Sequence, residues 1–201
     1  MGAANTILVV LLVIVVVLAG HLIMTYNNLV TVKNNVAQAW ANVDVLLKQR
    51  HDEIPNLVEV CKQYMRFEQE TLVRVSEARS RVAVAREAQN IDALGPAEAG
   101  LRAGVAKVFA LAEAYPDLKA NQNFMQLQSR ITGLENAIAN RREFYNDSVN
   151  VNNIRIQQFP DAIIAGAFGF KEARMLDFEA QEIADVDVKS LFGSNSKAKA
   201  V

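Results

Sequence analysis

Residues Ile7 to Met24 read ILVVLLVIVVVLAGHLIM, 18 positions without a charge, in which Gly20 and His21 are the only non-apolar residues. As a helix rising 1.5 Å per residue the stretch spans roughly 27 Å, close to the ~30 Å hydrocarbon core of a bilayer. A backbone in lipid must satisfy its own hydrogen bonds, so the segment has to be helical, and the rest of the chain hangs from one membrane end. Ile7, Leu12, Val17, Leu22 and Met24 sample the expected membrane-spanning positions.

A cleavable signal peptide begins with a basic region. Residues 1–6, MGAANT, carry no Lys or Arg, which favours an uncleaved signal anchor even though Val17-Leu18-Ala19 has the small-residue character of a cleavage site. Leu18-Ala19-Gly20 resembles a lipobox, but His21 stands where the lipid-bearing Cys would be. Met1-Gly2 with Thr6 matches the short myristoylation pattern, which a spanning helix does not need. The basic residues nearest the span, Lys33 and then Lys48 and Arg50, all lie on its C-terminal side, so the tally leans to an outside N-terminus and a cytoplasmic bundle. The lone Cys61 fits a reducing compartment.

The net charge of −1 and the absence of a basic stripe argue against a nucleic-acid partner. Four Pro and nine Gly among 201 residues, with no Gly-rich phosphate loop and no alternating strand pattern, favour helices. Leu29, Val32, Val36, Trp40, Val43 and Leu47 follow in steps of three and four, one apolar stripe of a helix over Tyr26 to Gln49. No Pro or Gly separates it from the span, so the two are expected to form one rod.

Arg50-His51-Asp52-Glu53-Ile54-Pro55 interrupts the pattern. The register continues through Ile54, Leu57 and Cys61, as in one long kinked helix. A tight reversal is preferred here, because a projecting single helix has nothing on which to bury its stripe. His51, Asp52 and Glu53 are read as turn and cap, since adjacent residues diverge and no second His lies near. A second helix is then expected over Asn56 to Ala88, with Glu70 and Arg74 paired on its solvated face. A loop over Asn90 to Pro96, a third helix over Ala97 to Ala114, a loop over Tyr115 to Asn121 and a fourth helix from about Gln122 to Gln157 complete the reading. Phe159-Pro160 then introduces the apolar run IIAGAFGF, Ile163 to Phe170, an acidic run over Asp177 to Asp187 and a polar tail over Gly193 to Val201, read as flexible. The acidic run lacks the spacing of a calcium loop and is read as solvated.

Several blocks resemble the LemA family. Trp40 with Lys48-Gln49-Arg50-His51-Asp52-Glu53-Ile54-Pro55-Asn56-Leu57-Val58 is similar to its signature. Tyr115-Pro116-Asp117-Leu118-Lys119-Ala120-Asn121 with Phe124, Leu127 and Gln128 is a second block. Arg141-Arg142-Glu143-Phe144-Tyr145-Asn146, with Phe159-Pro160 and Phe168-Gly169-Phe170-Lys171, is a third. The resemblance implies a bacterial membrane protein whose soluble part is an up-and-down four-helix bundle, with no catalytic residues to carry over; one branch of the family is associated with magnetosome membranes.

The fold class expected is therefore all-α: a single N-terminal transmembrane helix continuous with the first helix of an up-and-down four-helix bundle, followed by a partly irregular C-terminal segment. The expected organisation is an anchor over 1–25, a bundle over 26–159, an apolar then acidic segment over 160–192, and a tail over 193–201. In such a bundle the fourth helix returns to the membrane, which brings Ile163, Ile164, Phe168 and Phe170 to the bilayer as a candidate interaction segment; the alternative reading is that the four residues cap the end of the bundle. No catalytic, cofactor or metal residues are expected. The function expected is a non-enzymatic scaffold in the inner membrane whose partners are the lipid bilayer and further copies of itself. An adaptor for another envelope protein, such as a membrane protease, is the alternative.

Overall fold

The computed structural model describes residues 2–176. Among them six helices follow one another: α1 (Gly2–Tyr64), α2 (Gln69–Glu87), α3 (Ile91–Ala112), the short α4 (Pro116–Lys119), α5 (Gln122–Gln157) and α6 (Asp161–Phe168). The fold is all-α. The acidic run and the polar tail lie outside the described residues.

The preferred reversal at residues 50–55 does not occur. α1 runs through Pro55 without a break for 63 residues, roughly 95 Å, and the chain turns at residues 65–68 instead. Two contacts explain why the long helix wins. Proline has no N–H for the carbonyl four residues back, which is that of His51. That carbonyl is taken by α2, where Arg79 Nε donates to it at 2.8 Å. The apolar stripe is also covered: Val43, Leu47, Ile54, Leu57 and Cys61 are all buried. Their partner is α5, which lies antiparallel along α1 over its whole length. Ring contact joins Trp40 to Tyr145, an ion pair joins Arg50 to Glu135, and Asn121 Nδ2 donates to Tyr64 Oη at 3.0 Å; in each pair the residue numbers sum to 185. One register therefore holds from end to end.

α2 and α3 form a shorter hairpin against the outer half of this pair. Arg86, in the last turn of α2, meets Asp44 at 3.8 Å, so the hairpin reaches inward only to the level of residue 44 on α1. Gly104 is where the two helices close up: a Cβ there would lie 3.1 Å from Val75 Cγ2. α3 begins six residues earlier than the Gly95-Pro96 pair suggested, because Asn90 caps it by accepting from the Ala93 N–H at 3.1 Å. Pro96 then falls early in the helix, where one bond is lost. The expected loop over residues 115–121 contains α4, whose Leu118 is buried; Asn121 caps α5 through the Phe124 N–H.

Four long helices thus surround one core in the outer half. Nearer the N-terminal apolar segment α1 and α5 form a two-helix stalk. Its open side is covered by α6 and by residues 170–176, which run back along α5 as an extended strap. Leu176 at the end of the strap is buried in the main core.

Candidate functional site

Two arrangements carry chemistry. The first is inside the bundle. Arg50, 1% exposed, stands on the apolar stripe of α1 between Leu47 and Ile54. Its guanidinium donates from Nη1 to Glu135 Oε1 of α5 at 2.8 Å and from Nη2 to Glu98 Oε2 of α3. Arg102 of α3 approaches the other Glu135 oxygen at 3.8 Å, and Arg142 of α5 is buried beside the group. Burial works against the Arg50 charge, but the two carboxylates outweigh it and raise its pKa. Burial also pushes the Glu98 carboxyl up, against the opposing pull of Arg50. Glu98 Oε1 and Arg50 Nε have no hydrogen-bond partner among the described residues.

Such a cluster joins three helices. Buried pairs of this kind add little net stability but penalise any packing that separates them. With Arg50 and Glu98 sealed from solvent, the arrangement suits fixing the register of α1, α3 and α5 rather than meeting a substrate. Sequence reasoning placed Arg50 in a turn. The signal that finds it is its position three residues after Leu47 and four before Ile54, on the stripe itself. Glu53, read as a cap, instead pairs with Arg130 of α5. Cys61 is fully buried, and burial pushes its thiol up to about 11. Among the described residues no group of three or more His, Cys, Asp and Glu side chains is placed to hold a metal ion.

The second arrangement is at the inner end of the stalk. Residues 7–24 form the exposed, uncharged part of α1, a helix long and apolar enough to cross a membrane; Ile7, Leu12, Val17, Leu22 and Met24 all face outward. α5 returns to that level and the chain turns at Phe159-Pro160, joined by a cis peptide bond, into α6. Asp161 in the first turn of α6 pairs with Arg155 at 2.9 Å, which ties the turn to α5. The four residues of the candidate segment then divide. Ile164 is buried with Ala165 against Leu29, and Phe170 packs half-buried on the same cluster. Ile163 and Phe168 remain 64% and 65% exposed, and Phe159 82%. Tyr26, two residues past Met24, lies 4.8 Å from the Phe168 ring and 5.9 Å from that of Phe170. The exposed face of α6 therefore sits level with the end of the uncharged segment.

Comparison with known proteins finds several relatives of this chain. Two magnetosome proteins of Paramagnetospirillum magneticum, MamQ 1 and MamQ 2, are each 24% identical over 86% of this chain and 72% of their own length. Protein LemA of Metamycoplasma hominis is 25% identical over 81% of this chain and 72% of its own. None of these names states a catalytic activity. The model of the LemA family matches residues 39–190, which takes in the outer half of α1, the α2–α3 hairpin and all of α5 and α6. The chain belongs to the LemA family.

Proposed function

We propose that this protein is a non-enzymatic scaffold of the bacterial cell membrane that self-associates and orders the bilayer around it. The supporting observation is the exposed apolar face of α6, formed with Phe159, Ile163 and Phe168, level with the end of the uncharged helix. An apolar patch at that position marks an interaction surface. In this reading residues 7–24 span the membrane with the N-terminus outside, and the bundle stands in the cytoplasm. α6 rests in the lipid interface as a second foot. Two contacts fix the tilt of a long rod, where one span would leave it free to swivel. Copies held at one tilt present matching sides to one another and assemble laterally.

The test is the size of the full-length protein in a mild detergent and in lipid nanodiscs, for the native chain and for Ile163→Ser/Phe168→Ser. Both changed residues are exposed, although Phe168 also meets Tyr26, so unchanged helical content by circular dichroism is the control for folding. The native chain is expected to run as an assembly and the variant as smaller species. A monomer in every case contradicts the scaffold. One dominant foreign partner on crosslinking in cells, with no self-ladder, favours an adaptor instead.

A further inference from the structure

The strap climbs α5 in regular steps. The Phe170 N–H first closes on the Ala165 carbonyl at 2.9 Å, which fixes the exit from α6. Asn153 of α5 then donates from Nδ2 to the Ala173 carbonyl and accepts from the Ala173 N–H through Oδ1, both at 2.9 Å. Asn146 treats Leu176 in the same way, at 2.9 Å to the carbonyl and 2.8 Å from the N–H. Seven residues of helix rise about 10.5 Å and three residues of extended chain span about 10 Å, so the two backbones keep step. The strap runs antiparallel to α5, away from the uncharged segment. Arg174 meanwhile pairs with Asp92 of α3, so the end of the strap enters the seam between α3 and α5.

The next steps of the same ratio fall on charge. Seven residues before Asn146, on the same face of α5, stands Ala139, which is exposed; three residues after Leu176 stands Glu179. Arg142 comes level with about residue 178 of the continuing chain, and Glu135 with about residue 181. Arg102 of α3 meets Glu135 across the seam at 3.8 Å, with its side chain 39% exposed. Burial, together with the like charges of Arg102 and Arg50, holds the Arg142 pKa down, and a carboxylate brought to the guanidinium opposes that. The chain beyond Leu176 has the complementary chemistry. Residues 177–187 read DFEAQEIADVD, five carboxylates and no Lys or Arg, and Asp177, Glu179 and Glu182 bracket the levels of Arg142 and Arg102. The LemA model runs on to residue 190, through the whole acidic run, which makes the run part of the family's domain.

We propose that the α3–α5 seam around Arg102 and Arg142 is a docking groove for an acidic extended chain, and that its occupant is this chain's own acidic run, residues 177–187. Leu176 is fixed in the main core, so the run is delivered to the seam at high effective concentration. Its carboxylates meet guanidiniums on both helices and tie α3 to α5, as Glu98 ties α3 to Arg50 of α1. The α2–α3 hairpin is then clasped by ionic contacts from two sides, and the outer one weakens with salt.

The test uses the full-length protein in mild detergent, carrying Ala139→Cys and Glu179→Cys, with helical content matched to the native chain by circular dichroism. Native Cys61 is buried and stays silent. Mild oxidation is expected to close a disulfide within one chain about tenfold faster than in a control carrying Ala139→Cys and Ser196→Cys. Adding Asp177→Asn/Glu182→Gln, or raising the salt, is expected to slow closure about fivefold or more. Closure no faster than in the control overturns the docking groove. A disulfide that joins two chains overturns the choice of occupant. Fast closure within one chain that is indifferent to both neutralisation and salt overturns recognition by the arginines.

Discussion

Arg50 occupies a place in the α1 stripe that its neighbours would fill with leucine. Its removal strands Glu98 in the core, so Arg50→Met is expected to cost about 3–5 kcal/mol. Arg50→Met/Glu98→Met, which removes both charges, is expected to recover more than half of that loss, measured by chemical denaturation of the detergent-solubilised protein. Equal losses in both variants would mean that the cluster acts through packing alone. Cys61 gives a pH prediction. Its folded pKa of about 11 lies above the ordinary 9.0, so the thiolate is disfavoured in the folded state. The stability this contributes is complete below pH 9 and is lost as pH rises toward 11. Denaturation midpoints should fall across that window in the native chain and fall less in Cys61→Ala. The stripe residues around Arg50 were legible from their spacing. The charge was not, because a lone arginine beside His51, Asp52 and Glu53 looks like part of a solvated turn until the carboxylates from α3 and α5 are seen to converge on it.

At the scale of elements, Pro55 decides the course of α1. The expected reversal failed because α5 covers the stripe of the continuing helix, and the carbonyl of His51 freed by Pro55 has a partner 28 residues away in Arg79. The pair should therefore couple. Arg79→Ala is expected to destabilise the native chain by about 1–2 kcal/mol, and by markedly less in a Pro55→Ala background, where the helix bonds that carbonyl itself. Additive losses in the double-mutant cycle would refute the account. α5 was readable in full, since its stripe runs unbroken from Phe124 to Asn152 and Asn121 is a strong cap. α3 was misplaced at its start because Gly95-Pro96 outweighed Asn90 in the sequence pattern. The strap left no signal. Its partners are single asparagines and a tyrosine on a helix, and Asn146, Asn152 and Asn153 carry no spacing signal that announces an extended segment alongside.

For the whole molecule, the long antiparallel pair of α1 and α5 sets the geometry. About 60 Å of α1 lies beyond the uncharged segment. The α2–α3 hairpin thickens the far half, and α6 and the strap thicken the near half. Up-and-down connection alone returns residue 159 to the level of residue 26, which is why the position of the apolar run was foreseeable. Which of its residues face out depended on the contact with Leu29 and Tyr26, which spacing cannot give. The proposed function requires α6 to lie in the interface of the same membrane that residues 7–24 are proposed to cross. A nitroxide label at Phe168→Cys in lipid nanodiscs tests this directly, with labels at Leu22→Cys and at Phe67→Cys, in the far turn, as references. The label at 168 is expected to collide with oxygen more than with a water-soluble nickel chelate, as at position 22. A label at 168 as open to the chelate as one at 67 would contradict it.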